Sequence, residues 1–566
     1  MEKSAIYHQS DSRFSYPLDE RKAFICLQVK KGDDIEAVTL LWNTGHYYYK
    51  AQRRTKMSIY RSDELYDYYQ CIIENEKPGY SYIFEIVDGN HQTWYYNESG
   101  FDQTLRVEEA FKDNFTVVFP NKNDIVRPNK AFEGRVFYQI FPERFAKSSQ
   151  KKNTDYINLD WNSEEPVNDK FMGGDLPGIT EKLNYLKRLG IGAIYLTPIH
   201  PSVSAHKYDI DDYFDIDKMF GSKEDFKELV KQAHAKDIKI VMDLVFNHSS
   251  FYNAMFQDVV KNGKKSKYYH WYFIQGDKPS WDKGNYLMFC DVKMMPKLNT
   301  NHKEVQKYLT SIGEYYLRDF DVDGFRLDVA FDVSHDFWRY FKHQLKKIKE
   351  DVFLIGEDWQ NSESFLGNDQ WDSVMNYPFL YACQRFLAYD RYDSVQFANY
   401  LNMRLMHYKD GTNRMMLNLL DSHDIERFYN TVGFNKDLVL LAIAIMMFYQ
   451  GSPMIYYGDE IFMEGKNDPY NRKGMRWNSP NYKIFEHQVF KDLLKLRKEK
   501  ALKYGDIQIE AKDDLVYITR TFAGEKYVLI VNHSQKEIKN YSKKIIYSYR
   551  YHSQTMFPNS FLVLKY

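Results

Sequence analysis

Cysteine is nearly missing from this chain. Cys26, Cys71, Cys290 and Cys383 are the four in 566 residues, scattered without metal-ligand spacing or a dense pairing pattern. That excludes a disulfide scaffold and points to a reducing, cytoplasmic setting. Long hydrophobic runs are missing as well. The longest, Leu438 to Tyr449, has twelve residues, too few to cross a bilayer, and reads as a buried helix. The first eight residues, Met1 to His8, lack the basic stretch and apolar run of a secretory leader, so no membrane partner is expected. Net charge is also absent: 77 Lys and Arg against 78 Asp and Glu leave −1. Without a positive surplus, nucleic acid is not an expected partner. No low-complexity tract or short repeat is evident.

What the chain does have is apolar residues (44%) and aromatics (17%, with 48 Tyr). Core packing accounts for most of these rings. Beside a site, however, an aromatic face can also hold the apolar face of a sugar ring. At this length three or four domains are expected. Residues 1–125 read as an all-β sandwich, with strand-like segments at 23–29, 37–42, 80–87 and 93–96. From Gly134 short apolar runs alternate with amphipathic helices. The runs are 136–141, 193–196, 238–246, 324–328, 353–356, 373–376, 415–420 and 454–457. Eight such units predict an α/β fold, a (β/α)8 TIM barrel over 126–246 and 300–500. Residues 247–299, after the third strand, are predicted to form an inserted lobe, and 501–566 a C-terminal β-sandwich.

In such a barrel the site forms at the C-terminal ends of the strands. Four run ends carry polar residues: Asp243 to Asn247-His248, Arg326-Leu-Asp328, Glu357-Asp358-Trp359, and Asp421-Ser-His423-Asp424. Chance polar loop residues would explain any one of them, but not all four at one edge. Glycoside cleavage needs two carboxyls, one attacking the anomeric carbon and one protonating the leaving oxygen. Arg326 beside Asp328 favours an ionised nucleophile, and the apolar neighbours of Glu357 suit a proton-holding acid. Asp424, His423 and His248 could hold sugar hydroxyls. A zinc site on the two histidines is the competing reading, but no ligand motif accompanies them.

These four segments closely resemble the signature regions of the α-amylase family, glycoside hydrolase family 13. Met295-Pro-Lys-Leu-Asn299 resembles the marker of its neopullulanase, cyclomaltodextrinase and maltogenic amylase group. The resemblance covers essentially the whole chain, with residues 1 to about 125 similar to a starch-binding-type module. It implies Asp328 as nucleophile, Glu357 as general acid/base and Asp424 as transition-state stabiliser. Arg326, His248 and His423 match supporting residues. Tyr208 matches the aromatic at the cleavage subsite, Trp359 lies beside the acid/base, and Asp468 and Arg472 match residues holding the next sugars.

The implied reaction is retaining hydrolysis of α-1,4-glucosidic bonds in cyclomaltodextrins, maltooligosaccharides, pullulan or starch, with the carboxyls ~5–5.5 Å apart. A transglycosylase or branching enzyme, or a non-catalytic carbohydrate-binding protein, are the alternatives. The resemblance also implies a homodimer in which one N-terminal domain covers the partner's cleft. No cofactor is needed for the chemistry. A structural Ca²⁺ would fall on Asn153, Asp155, Gly173 and Asp175, although Lys147, Lys151 and Lys152 suit it poorly. Asp358 departs from the group's usual pattern, placing an extra carboxylate beside Glu357.

Overall fold

The structure is a computed structural model that describes residues 1–44, 53–74, 79–105, 113–117, 120–122, 125–149, 154–539 and 544–566. The chain forms two compact units. The first comprises Met1–Pro128, Tyr392–Asn413 and Gln508–Tyr517. It holds a four-stranded and a six-stranded sheet, whose central strands are Lys22–Lys30 paired with Tyr66–Glu74 and Ile35–Thr44 paired with Tyr80–Asp88. Alternating inward residues such as Ile25, Leu27, Val38, Leu40, Phe84 and Ile86 meet in one core. This unit reaches beyond the expected 1–125. Met406 joins an apolar cluster with Phe14, Tyr16, Phe24 and Cys26, and Asn402 Nδ2 donates to the Ile509 carbonyl at 3.0 Å.

The second unit contains the barrel: β1 (Phe137–Ile140), β2 (Ala193–Leu196), β3 (Lys239–Val245), β4 (Gly324–Asp328), β5 (Phe353–Gly356), β6 (Ser373–Asn376), β7 (Leu417–Asn418) and β8 (Ser452–Tyr456). All neighbours are parallel, and β1 pairs with both β2 and β8, which closes the ring. Every residue of β1, β2 and β4 to β8 is buried. Such strands, covered on both faces, read as unbroken apolar runs rather than as alternation. β7 is shorter than its apolar run predicts. It pairs only at Leu417 and Asn418, and its partner Pro453 has no N–H to donate.

Helices α1 (Leu176–Leu189), α2 (Lys223–His234), α3 (Lys303–Phe320) and α4 (His335–Lys346) follow from their amphipathic spacing. Their ends are set locally. Ser222 and Asp225 form a capping box on α2, and Ser334 accepts from Phe337 N on α4. The twelve-residue apolar run becomes α5 (Lys436–Phe448), buried from Val439 on. Between β3 and α3 the insertion holds an α-helix, Ala254–Asn262, three short 3-10 turns, and isolated bridges such as His248 with Lys297 and Met288 with Pro296. Its core is aromatic, with Phe256 and Tyr272 at a centroid distance of 4.7 Å. The last strands form one six-stranded sheet. Helix α5 packs on its strands Glu525–Asn532 and Thr555–Lys565, where the sequence predicts a second sheet.

Close packing reaches the strand ends. A Cβ added at Gly356, the last residue of β5, would lie 2.3 Å from the Trp371 ring. Gly356→Ala is therefore expected to cost roughly 1–3 kcal/mol, as overpacking typically does. Urea denaturation measures this, and an unchanged midpoint would refute it.

Candidate active site

Asp328 ends β4, Glu357 follows β5, and Asp421 to Asp424 follow β7, so strand closure brings these groups to one rim. Their common centre is Arg326, two residues before Asp328 on the same face of β4. Its guanidinium is fully buried. Nη1 donates to Asp328 Oδ1 at 2.8 Å and to Asp243 Oδ2 at 3.0 Å. Nη2 lies 2.9 Å from Glu357 Oε2 and 3.9 Å from Asp424 Oδ2. Four carboxyls therefore face one guanidinium. Burial works against the charge on Arg326, but Asp243 and Glu357 hold it firmly protonated.

Glu357 does not sit in the apolar setting predicted from its neighbours. Oε2 accepts the Val329 N–H at 2.8 Å, and Oε1 accepts the Trp359 Nε1–H at 3.1 Å. Trp359 is fixed in turn by stacking on Tyr377, at 4.1 Å and 7°. Val329 adopts φ 44° and ψ 42°, a left-handed conformation that costs a β-branched residue ~1–3 kcal/mol. That turn is what aims its N–H at Glu357. Asp358 points away from this cluster. Its carboxylate accepts from Gln360 N at 3.1 Å and Ser362 Oγ at 2.8 Å. It closes its own loop, and among the described residues it makes no contact with Glu357.

His423 Nδ1 accepts from the Gln139 amide at 2.7 Å. Nε2 therefore carries the proton and donates toward Asp424 Oδ1 at 3.0 Å and Tyr208 Oη at 2.5 Å. Tyr208 Oη in turn donates to Asp243 Oδ2 at 2.8 Å, beside a second phenol, Tyr195, at 2.7 Å. The Tyr208 and His423 rings lie parallel within 3°. Burial, aided by Arg472 and Arg326, keeps His423 well below its usual pKa and so neutral. Arg472 Nε holds the His423 carbonyl at 2.8 Å, while its Nη atoms pair with Asp468 at 2.7 Å and approach Asp424 at 3.6 Å. His248 is also neutral, its pKa lowered by burial to about 3. It contacts the Tyr208 carbonyl at 3.2 Å and stacks on Phe289.

The carboxyls share their electrostatics. Burial pushes Asp328 up, Arg326 opposes, and Glu357 and Asp243 add to the rise. The downward pull expected from Arg326 is present but outweighed. Asp424 is raised to about 7, first by burial and then by Glu357.

The residues inferred for catalysis and sugar contact thus lie in one connected network. Sequence reading passed over Gln139, Tyr195 and the part played by Asp243. The available signal was a polar residue in the middle of an apolar strand run, at Gln139 and at Asp243. The calcium set does not assemble in the same way. Asn153 lies outside the described residues, and Asp155 is exposed. Asp175 Oδ1 caps α1 through Gly178 N at 2.8 Å and also accepts Ser148 N at 2.9 Å. The Gly173 N–H donates to Glu143 Oε1. Among the described residues no three His, Cys, Asp or Glu side chains gather as metal ligands.

The raised pKa of Asp424 makes a testable statement about stability. The folded protein binds a proton at Asp424 that the unfolded chain releases near 3.8. Its contribution is full below about pH 4 and is lost as pH rises through about 7. Asp424→Asn should remove that loss, so the gap between variant and wild-type melting temperatures should shift in the variant's favour from pH 4 to 8. A constant gap across that range would contradict the assignment.

A model of the α-amylase catalytic domain matches residues 139–488, and one of the α-amylase N-terminal ig-like domain matches 1–121. A cyclomaltodextrinase of Thermoanaerobacter pseudethanolicus is 38% identical over 541 residues, covering 95% of this chain and 93% of the relative. An intracellular maltogenic amylase of Bacillus subtilis is 36% identical over 534 residues, covering 92% and 89%. A solved cyclomaltodextrinase structure superposes with a TM-score of 0.90 at 32% identity, covering 100% of this chain and 98% of that one.

Proposed function

The chain belongs to the α-amylase family of glycoside hydrolases, and from that premise we propose that it cleaves α-1,4-glucosidic bonds in cyclomaltodextrins and short maltooligosaccharides with retention of configuration. One observation carries this reading. Asp328 and Glu357 sit on the two Nη atoms of a single guanidinium, at 2.8 and 2.9 Å, which suits the close carboxyl pair of a retaining enzyme. Glu357 protonates the glycosidic oxygen while Asp328 attacks the anomeric carbon. The C–O bond breaks, a glycosyl ester forms on Asp328, and the leaving sugar departs with the proton. Water, giving its proton to Glu357, then attacks the same carbon and frees Asp328. His423 Nε2–H and Asp424, at the same rim, hold ring hydroxyls in this scheme, and Tyr208 offers its ring face to the sugar.

Pullulan and starch are further substrates in this reading. The protein works in the cytoplasm as a homodimer. Support comes from the match of 1–121 to the N-terminal domain of such enzymes and from the intracellular relative. Among the described residues no helix is long and apolar enough to cross a membrane.

Asp328→Asn should lower turnover of maltooligosaccharides at least ~1,000-fold while circular dichroism stays unchanged; substantial residual turnover would move the nucleophile elsewhere. Panose from pullulan, together with opening of β-cyclodextrin, is the expected product pattern, whereas maltotriose from pullulan would mean α-1,6 cleavage. Sedimentation at micromolar concentration should give twice the 67.8 kDa chain mass, and a monomer would remove the dimer.

A further inference from the structure

The opposite, N-terminal end of the barrel holds a cavity of about 280 Å³ that the glycosidase chemistry does not use. Its walls come from segments that enter three neighbouring strands: Gly134–Val136 before β1, Gly190–Gly192 before β2 and Asp237 before β3. Arg497, Lys498 and Lys503, in the chain after β8, complete it together with Lys187.

The charge here is one-sided. Arg135, Lys187, Arg497, Lys498 and Lys503 face a single lining carboxylate, Asp237, which Arg135 already engages at 2.9 Å. In a chain of net charge −1, that is a local concentration rather than a general surplus. Arg497 is 1% exposed. Its Nη atoms donate to the backbone carbonyls of Met447, Tyr449 and Gly451, and its Nε has no hydrogen-bond partner among the described residues. Among the described residues no carboxylate lies in ion-pair contact with it, although Glu133 acts at longer range. A buried guanidinium met only by carbonyls is costly unless an anion completes it. Burial accordingly brings Arg497 down to about 9. Lys503 is half-buried, and burial with Arg135, Arg497 and Lys498 lowers its pKa as well. Gly134 is what lets this side chain in, since a Cβ there would lie 2.8 Å from Lys503 Cβ.

We propose that this cavity is a binding site for a phosphate dianion, free or carried by a small metabolite, at the pole of the barrel away from the catalytic carboxylates. Several converging cations with few carboxylates suit a doubly charged, multi-acceptor group. A half-open cavity of this volume suits a small molecule.

The test uses the full-length protein. Melting temperature is followed against inorganic phosphate and against glycerol phosphate, with sodium chloride at matched ionic strength and glycerol as controls. A saturable rise with either phosphate compound, absent with both controls, is expected. The tighter of the two ligands then distinguishes free phosphate from a phosphomonoester. Lys498→Ala and Lys503→Ala should each weaken binding by roughly tenfold and leave maltooligosaccharide hydrolysis in phosphate-free buffer unchanged. A rise reproduced by chloride, no rise at all, or an undiminished affinity in both variants would overturn the proposal.

Discussion

The buried guanidinium of Arg326 is the constraint on which the site depends. Asp243, Asp328, Glu357 and Asp424 all converge on it within 4 Å. Without that charge, four carboxyls in a low-dielectric pocket would repel one another and neutralise or move apart. With it they stay together, and their titrations belong to the cluster rather than to any one member. Cleavage of a glycosidic bond needs one ionised and one protonated carboxyl side by side.

Around this charge the protein removes freedom from each reacting group. Gln139 fixes the tautomer of His423, which then offers a single N–H toward Asp424 and Tyr208. Asp243 gathers Arg326 and two phenols and is itself wholly buried, so it orders the network from behind. Glu357 is held by the Trp359 indole and by the N–H of the strained residue Val329. Groups carried on rigid strand ends and locked by such neighbours are pre-organised for chemistry, so little reorganisation remains for the transition state.

Much of this was legible in the sequence because strand-end position is a local property. The apolar runs that became β2, β4, β5 and β6 were read with their observed limits, and the polar residues beyond them marked the rim. The less legible parts turn on direction. Asp358 reads in the sequence as a second carboxylate beside Glu357, but successive residues leaving a strand point to opposite sides. Its side chain went to the loop hydrogen bonds of Gln360 and Ser362. Asp175, which the resemblance places at calcium, caps the orphan N–H groups at the start of α1.

The sequence by itself determined the eight-strand barrel, the inserted lobe and the placement of Asp328, Glu357 and Asp424 at or after strand ends, since hydrophobic period and strand-end polarity are written in neighbouring residues. The tertiary structure alone decided how their charges are shared. Burial outweighs the pull of Arg326 on Asp328, and Gln139 meets His423 across 284 positions of chain. Desolvation and long-range contact depend on what closes over a residue from elsewhere in the fold, and no local pattern records that.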